Sequence, residues 1–451
     1  MAQLYIDVIR DLCQHGYEAL LVGGPVRDLL LGKEPNDFDV ATNATPEKVK
    51  EVLAQRFKVV LVEGSRFPVA IVYRDKEQVE VATYRREQSF GHGHKDFDVQ
   101  IAPSFEVDSE RRDFTFNSLG MCLTGDIIDH HNGIEDLRKR VVRFVNDPVK
   151  RITEDPIRMI RACRFLAAIN GIFDASSFAA MSSLADLLDT IPKERIQKEL
   201  LKAMKIKNAS RFFFALYESG LLIKILPSLA RCYNHPHGRH HFEDVFEHSM
   251  LVGDAISTRC PLVKFSGYVH DVGKPIAAEI DEDSNVTFIG HEKKGAKILE
   301  KELSELKFSI FEVKFVANLV RYHMSVAMPD SSSKSVRKLL HKFNENGVNY
   351  INFIRLKVAD RAGNLKKNHF TFSELKSIIR LFESQLFSEN EVKAAFSITD
   401  LAVNGKDVME FLGIKPGPKV GQILKDLLQL VIEDPDLNTR EALLEQIPHV
   451  V

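Results

Sequence analysis

Two glycines, an arginine and a pair of aspartates fall close together near the start of the chain. Gly23-Gly24-Pro25-Val26-Arg27-Asp28 follows the apolar run Ala19-Leu20-Leu21-Val22, and Asp37-Phe38-Asp39 comes next. Glycines after a buried strand let backbone N–H groups approach phosphate oxygens, and a helix start beyond them favours anions. Arg27 can add a bidentate phosphate contact. Residues two apart on a strand face the same side, so Asp37 and Asp39 can present two carboxylates together. Hard oxygen ligands of this kind suit Mg²⁺. Glu80, two strands on, is a third carboxylate for the same cluster. Metal ions held there would activate an attacking hydroxyl and stabilise a departing pyrophosphate. Either half alone is commonplace, a tight turn or a solvated strand edge. Their closeness in sequence makes nucleotidyl transfer the better reading.

A second group is rich in arginine. In Arg111-Arg112-Asp113-Phe114-Thr115-Phe116-Asn117, Arg112 can contact a triphosphate, while Asp113 and Asn117 can hold a ribose hydroxyl. In Glu154-Asp155-Pro156-Ile157-Arg158-Met159-Ile160-Arg161-Ala162-Cys163-Arg164, helical spacing predicts that Asp155, Arg158 and Arg161 share about 120° of surface. One rigid face would then offer donors and acceptors to a base edge. A salt-bridged solvent face is the plainer alternative.

The elements needed to position these groups are legible. A helix over Leu4–Leu12 precedes the strand Ala19–Val22. Further strands are expected over 36–41, 69–73 and 78–83, and a helix start at Thr45-Pro46-Glu47. Residues 86–110 read as one long loop, and such loops are often functional. Strand signals fade near Asn146-Asp147-Pro148. The segment 151–211 carries a surplus of Lys and Arg. Histidine is concentrated just after residue 231; His235, His237, His240 and His241 read as a surface loop. The net charge of −2 advertises no global affinity for nucleic acid, so any RNA surface must be local. Five scattered cysteines form no CxxC pair, which excludes a disulfide framework and a thiolate zinc site. With no apolar signal region and no run of ~18 apolar residues, a cytoplasmic protein without a membrane span is expected.

In order along the chain, Gly-Gly-x-Val-Arg-Asp with Asp-x-Asp, Arg-Arg-Asp-Phe-Thr-x-Asn, Glu-Asp-Pro-x-Arg-x-x-Arg and Pro192-Lys193-Glu194-Arg195-Ile196 resemble the motifs of class II tRNA nucleotidyltransferases. These are the CCA-adding enzymes and bacterial poly(A) polymerases. The resemblance is dense over 18–230. It implies an α+β chain: a polymerase-beta-like head with a small mixed sheet, then an all-α neck, body and further helical domain. The expected segments are 1–146 for the head and 147–231 for a nucleotide- and tRNA-binding neck and body. By the resemblance Gly24 and Arg27 bind the incoming nucleotide, Asp37 and Asp39 bind Mg²⁺, and Arg112, Asp155, Arg158, Arg161 and Arg164 contact ATP or CTP. Asp155 and Arg158 would read the base without a nucleic-acid template. Glu80 matches only loosely. The stretch Ser89-Phe90-Gly91-His92-Gly93-His94-Lys95 departs from the family loop in composition but not in length. Full CCA addition to tRNA is therefore favoured, with A-adding, CC-adding and poly(A)-polymerase activities open.

In the second half, His248, His270-Asp271 and Asp360 resemble in spacing the HD metal-dependent phosphohydrolases, and His291 and His323 fit two further ligand positions. The expected segments are 232–365 for this HD-type domain and 366–451 for a tRNA-binding tail. Imidazoles and carboxylates on facing helices suit Ni²⁺, Mn²⁺ or a similar transition metal, which would direct a water at phosphorus. A phosphohydrolase whose head only binds nucleotide is the alternative of another class.

Overall fold

Leu4, Val8, Ile9 and Leu12 recur at three- and four-residue spacing, and all four are buried on one side of helix α1 (Leu4–Gln14). They pack on a sheet whose first strand, β1 (Ala19–Val22), is buried at every position. Alternate residues of β1 serve two cores: Ala19 and Leu21 join α1, while Leu20 and Val22 join Tyr84 and Phe105 on the other face. A strand covered on both sides reads as an uninterrupted apolar run. The computed structural model describes residues 4–62, 69–89, 97–238, 241–280, 282, 286–328, 330–386 and 395–450.

The remaining strands are β2 (Asp39–Thr42), β3 (Lys58–Val62), β4 (Val69–Arg74), β5 (Glu77–Thr83), β6 (Arg85–Ser89), β7 (Phe97–Ile101), β8 (Gly120–Met121) and β9 (Ile127–Ile128). The main sheet runs β3-β4-β5-β2-β1-β8-β9. Its pairs are antiparallel except β2 with β5, which are parallel. Helices follow as α2 (Gly24–Leu30), α3 (Pro46–Leu53), α4 (Phe105–Glu110), α5 (Gly133–Lys139), α6 (Pro148–Glu154), α7 (Ile157–Ile169), α8 (Ala175–Ser183), α9 (Lys193–Ala203) and α10 (Ser210–Glu218). The expected α+β fold, a small mixed sheet followed by helix, is what forms. Beyond residue 146 the described strands are two-residue pieces.

The stretch 86–110 is not one loop. β6 and β7 pair as an antiparallel hairpin, and α4 follows. Arg85-Arg86-Glu87-Gln88-Ser89 has no apolar residue to carry a period-2 signal, whereas Phe97-Asp98-Val99-Gln100-Ile101 alternates and is legible as a strand. Phe90–Asp96, which hold most of the segment that departs from the family pattern, lie outside the described residues.

Contacts divide the chain into two units, Met1–Ile225 and Leu226–Val451. The second is helical and has cores of its own, one around Phe343, Phe353 and Phe382, another around Ile423, Leu427, Val431 and Leu443. Among the described residues, no helix is long and apolar enough to cross a membrane.

Candidate functional site

In the first unit, β2 and β5 align Asp39 directly with Glu80. Val40, Val79 and Val81 point into the α1 core, so Asp39 and Glu80 project from the opposite face. Asp37 lies in a bend just before β2, not on the strand as the spacing suggested. It stays close enough to act electrostatically on Asp39. Asp39 is open to solvent on one side, but surrounding protein atoms, then Glu80 and Asp37, push its carboxyl up to about 6 against the pull of Arg112. Three carboxylates thus crowd one spot with a surplus of negative charge. A divalent cation would relieve it, and the all-oxygen donor set suits Mg²⁺.

Beside this cluster, Gly23 takes φ +76 and its N–H donates to the Leu119 carbonyl at 3.0 Å. A Cβ there would meet Arg112 Nη1 at 3.0 Å; the left-handed backbone demands glycine, and the close approach of the arginine adds to that preference. Arg27, on α2, donates to Asn117 Oδ1 at 2.7 Å and to Asp28 at 2.7 and 2.9 Å. Its guanidinium lies 5.0 Å from the Phe165 ring centre. Arg161 and Arg164, from α7, lie over the same ring at 5.6 and 4.2 Å. Phe165 is thus a common platform for three arginines. Asp113 accepts from Arg161 Nε at 2.8 Å and Asn117 Nδ2 at 3.0 Å. Burial works against its charge, but Arg161 and Asn117 hold its carboxyl down at about 2. Arg112 donates to the buried Asp108. Burial lowers the Arg112 guanidinium pKa, and Asp108 opposes the shift. Arg164 pairs with Glu199 on α9.

The proposed base readers sit differently from the expectation. Asp155 is not on the face of α7. It occupies the extended break between α6 and α7 at φ −148, ψ 95, because a residue before proline is disfavoured in the helical region. There Arg195 grips it with both terminal nitrogens, at 2.8 and 2.7 Å. Arg158 is buried. It donates to Glu154 Oε2 at 2.9 Å and to the carbonyls of Arg151 and Arg111 at 2.8 and 2.9 Å. Asp155 and Arg158 therefore hold separate partners. Phe165, Asp108 and Glu199 were not singled out from sequence, since an apolar ring or a lone acid on a helix carries no signal of its own.

In the second unit, five elements bring the predicted histidines and aspartates together. His248 lies on the helix Val245–Ala255. His270 closes Pro261–Val269 and Asp271 follows it. His291 opens His291–Glu305, His323 closes Ile310–Tyr322, and Asp360 lies on Tyr350–Gly363. Gly273 permits the convergence: a Cβ there would lie 2.0 Å from the His291 carbonyl oxygen. The Nδ1 atoms of His270, His291 and His323 lie 2.8, 2.7 and 2.6 Å from backbone carbonyls, and that of His248 lies 3.2 Å from the Gly363 carbonyl. A carbonyl only accepts, so each Nδ1 donates and Nε2 is the nitrogen left to bind a cation. Burial works against charge on His248, but Asp360 and Glu243 raise its pKa to about 9, so a metal there would displace a proton. His248 and His270 Nε2 lie 3.9 and 3.2 Å from Asp271 Oδ2, and His291 and His323 Nε2 lie 3.3 and 3.6 Å from Oδ1. His248 Nε2 is 3.1 Å from Asp360. Asp271 Oδ1 is buried without a hydrogen-bond partner. Nε2 atoms at these separations, around an orphaned carboxylate oxygen, suit a cation with ~2.1 Å bonds. A cavity of 590 Å³ opens beside them, its wall holding Lys274, Lys357, Arg361, Lys367, Phe288 and Phe370.

His237 and His241 are not a surface loop. His237 is buried, and its Nε2 lies 3.4 Å from Asp271 Oδ2. Burial pushes these imidazoles down, to about 3 for His237 and about 4 for His241. Flanking Pro, Gly and Arg made the stretch look solvated. His240 lies outside the described residues.

The sheet and carboxylate cluster of the first unit are those of a nucleotidyltransferase, and comparison with known proteins agrees. The poly(A) polymerase head domain matches residues 19–143, the probable RNA- and SrmB-binding site of polymerase A matches 173–233, and a putative second tRNA nucleotidyltransferase domain matches 294–447. An A-adding tRNA nucleotidyltransferase of Deinococcus radiodurans is 31% identical over 421 residues, 91% of each chain. Poly(A) polymerase I of Haemophilus influenzae is 34% identical over 263 residues, and the match spans 56% of that protein's length. The chain spans about half the length of the poly(A) polymerases it matches. Among solved structures, a Bacillus stearothermophilus CCA-adding enzyme in complex with CTP aligns at a TM-score of 0.71 and 25% identity, covering 99% of this chain and 96% of that one. The chain belongs to the class II tRNA nucleotidyltransferases, the family of CCA-adding enzymes and bacterial poly(A) polymerases.

Proposed function

We propose that the protein adds CCA to the 3′ end of tRNA from CTP and ATP, in the cytoplasm, by a Mg²⁺-dependent and protein-templated reaction. The observation that carries this is the alignment of Asp39 with Glu80, and Asp37 close by, next to the Gly23 turn and the arginines on Phe165. When bound, Mg²⁺ supplies activation of the 3′-hydroxyl and charge neutralisation at the departing pyrophosphate. Asp37 and Asp39 would hold it, with Glu80 as the third carboxylate. Gly24 and Arg27, with Arg112, Arg161 and Arg164, would hold the triphosphate. Asp113 would position the ribose. Asp155, held in place by Arg195, and Arg158, held by Glu154, would read the base edge. Segments 1–146 and 147–231 serve as head and as neck with body, and 366–451 as an RNA-holding tail. The deciding experiment offers tRNA ending at the discriminator base, CTP and ATP, and sequences the product ends. Addition of A only to tRNA already carrying CC would replace this reading by an A-adding one. Stopping at CC, or long A-tails on unrelated RNA, would replace it equally clearly.

A second activity is favoured by the convergence of four histidine Nε2 atoms on Asp271. We infer that segment 232–365 is an HD-type phosphohydrolase domain in which His248, His270, Asp271, His291, His323 and Asp360 hold a transition metal. Such a metal supplies a water of lowered pKa. The cationic wall of Lys274, Lys357, Arg361 and Lys367 would receive the phosphate. Release of phosphate from 2′,3′-cyclic nucleotides with Ni²⁺ or Mn²⁺ tests it.

A further inference from the structure

We propose that Glu243 is a positioning residue for this metal cluster, holding His248 in the tautomer that turns Nε2 inward, and that His241 braces Glu243. The inference rests on the phosphohydrolase reading above. His248 Nδ1 lies between two acceptors, the Gly363 carbonyl at 3.2 Å and Glu243 Oε1 at 3.3 Å. Glu243 is buried, so its carboxylate is held by what touches it. His241 Nδ1 meets the same Oε1 at 2.6 Å, and the Phe242 N–H donates to Oε2 at 3.1 Å. His241 is fixed in turn: Nε2 faces the side-chain amide of the buried Asn364 at 3.2 Å, and its ring stacks on His237. His237, His241 and Glu243 are thereby tied to the end of the helix that carries Asp360.

His237, His241, Glu243 and His248 are also close enough to suggest a metal site of their own. Their orientation speaks against it. The His237 and His241 rings lie 3.4 Å apart and 26° from parallel. Imidazole lone pairs lie in the ring plane, so two stacked rings cannot aim them at one ion between them. His248 Nδ1 donates to a carbonyl and has no lone pair to give. A carboxylate behind a ligating histidine instead fixes the ring and strengthens Nε2 as a donor. Loss of such a partner weakens metal binding by ~10–100-fold.

The test titrates the full-length chain with Co²⁺, following heat and the visible spectrum. It uses a background of Asp37→Ala and Asp39→Ala, so that only the second unit is read. We expect Glu243→Gln to weaken binding ~10–100-fold with unchanged stoichiometry and an unchanged spectrum at saturation. Glu243→Asp should lie between, and His248→Ala should alter the spectrum itself. Equal affinity in Glu243→Gln overturns the proposal, as does a changed spectrum or a lost equivalent of Co²⁺, which would make Glu243 a ligand. If Glu243→Gln fails to fold, His241→Gln replaces it. Several-fold weaker binding is then expected, and none overturns the brace. A parent chain that binds no Co²⁺ sinks the phosphohydrolase reading, and this inference with it.

Discussion

Asp39 on β2 and Glu80 on β5 are direct partners across the one parallel pair described in the main sheet, with their side chains on the face away from the α1 core. Replacing Asp37 or Asp39 by Ala removes a carboxylate from the proposed Mg²⁺ site. Metal stabilisation of phosphoryl oxygens is worth several kcal/mol, and ~1.4 kcal/mol is tenfold in rate, so nucleotide addition should fall by ~10³-fold or more. tRNA binding, measured by gel shift, should stay within a few-fold. Addition near the parent rate in either variant would exclude the two-carboxylate site.

The same crowding fixes a pH dependence. The folded-state carboxyl of Asp39 titrates at about 6, against 3.8 for the free group, so the folded protein holds a proton that the unfolded chain has lost. Without metal, ionising Asp39 therefore costs stability as pH rises from about 4 to about 6. Metal-free Asp39→Asn should have a higher Tm than the parent at pH 7.5, and the difference should vanish near pH 4. Mg²⁺ should raise the parent's Tm more at pH 7.5 than at pH 5. A thermal-shift series across that range checks both, and a difference independent of pH would refute the coupling.

Much of the first site was legible because its parts are local. Gly23-Gly24 sits where the chain must turn, and Asp39 and Glu80 alternate with apolar neighbours, so parity assigns their face; Asp37 falls in the bend before β2, where parity does not apply. What was hidden depends on contacts distant in sequence. Proline moved Asp155 off the helix face, and its partner Arg195 lies forty residues on. Phe165 looks like any core aromatic until three arginines are found on it. In the second unit the His and Asp spacing identified six converging residues. His237 and His241 were misjudged because burial of a short polar stretch depends on helices more than a hundred residues later, such as the one ending at Gly363.

The Arg195–Asp155 pair gives a prediction about selectivity. A bidentate guanidinium holds the acid in one place, so Arg195→Ala should loosen base choice much as Asp155→Ala does. A lost charged hydrogen bond costs ~1.5–3 kcal/mol, roughly 10- to 150-fold in discrimination between CTP and the wrong nucleotides. Arg158→Ala should differ. It strips a buried cation from Glu154, and breaking such a pair typically costs ~3–5 kcal/mol of stability. It should therefore lower Tm as well as fidelity. Misincorporation assays with all four nucleotides, alongside Tm, separate the two. Variants slowed equally with every nucleotide would show that these residues serve structure alone.

The two proposed activities should come apart. His270 and Asp271 belong to the unit Leu226–Val451, whereas Asp37, Asp39 and Glu80 belong to Met1–Ile225. Asp271 is buried, and Lys274 Nζ lies 2.7 Å from its Oδ2 as a counter-charge. Removing the acid leaves buried Lys274 with His237 but without its counter-charge, so some stability is lost in any such variant. Asp271→Asn with His270→Gln keeps the shapes while removing a carboxylate and an imidazole. This double variant should lose metal from the second unit, read by elemental analysis of the purified protein, and should release no phosphate from 2′,3′-cyclic nucleotides. Addition of nucleotides to tRNA should persist within a few-fold, since its carboxylates lie elsewhere. Loss of nucleotide addition in a double variant that still melts cooperatively would mean that the cluster supports the first reaction, and the separation would be wrong.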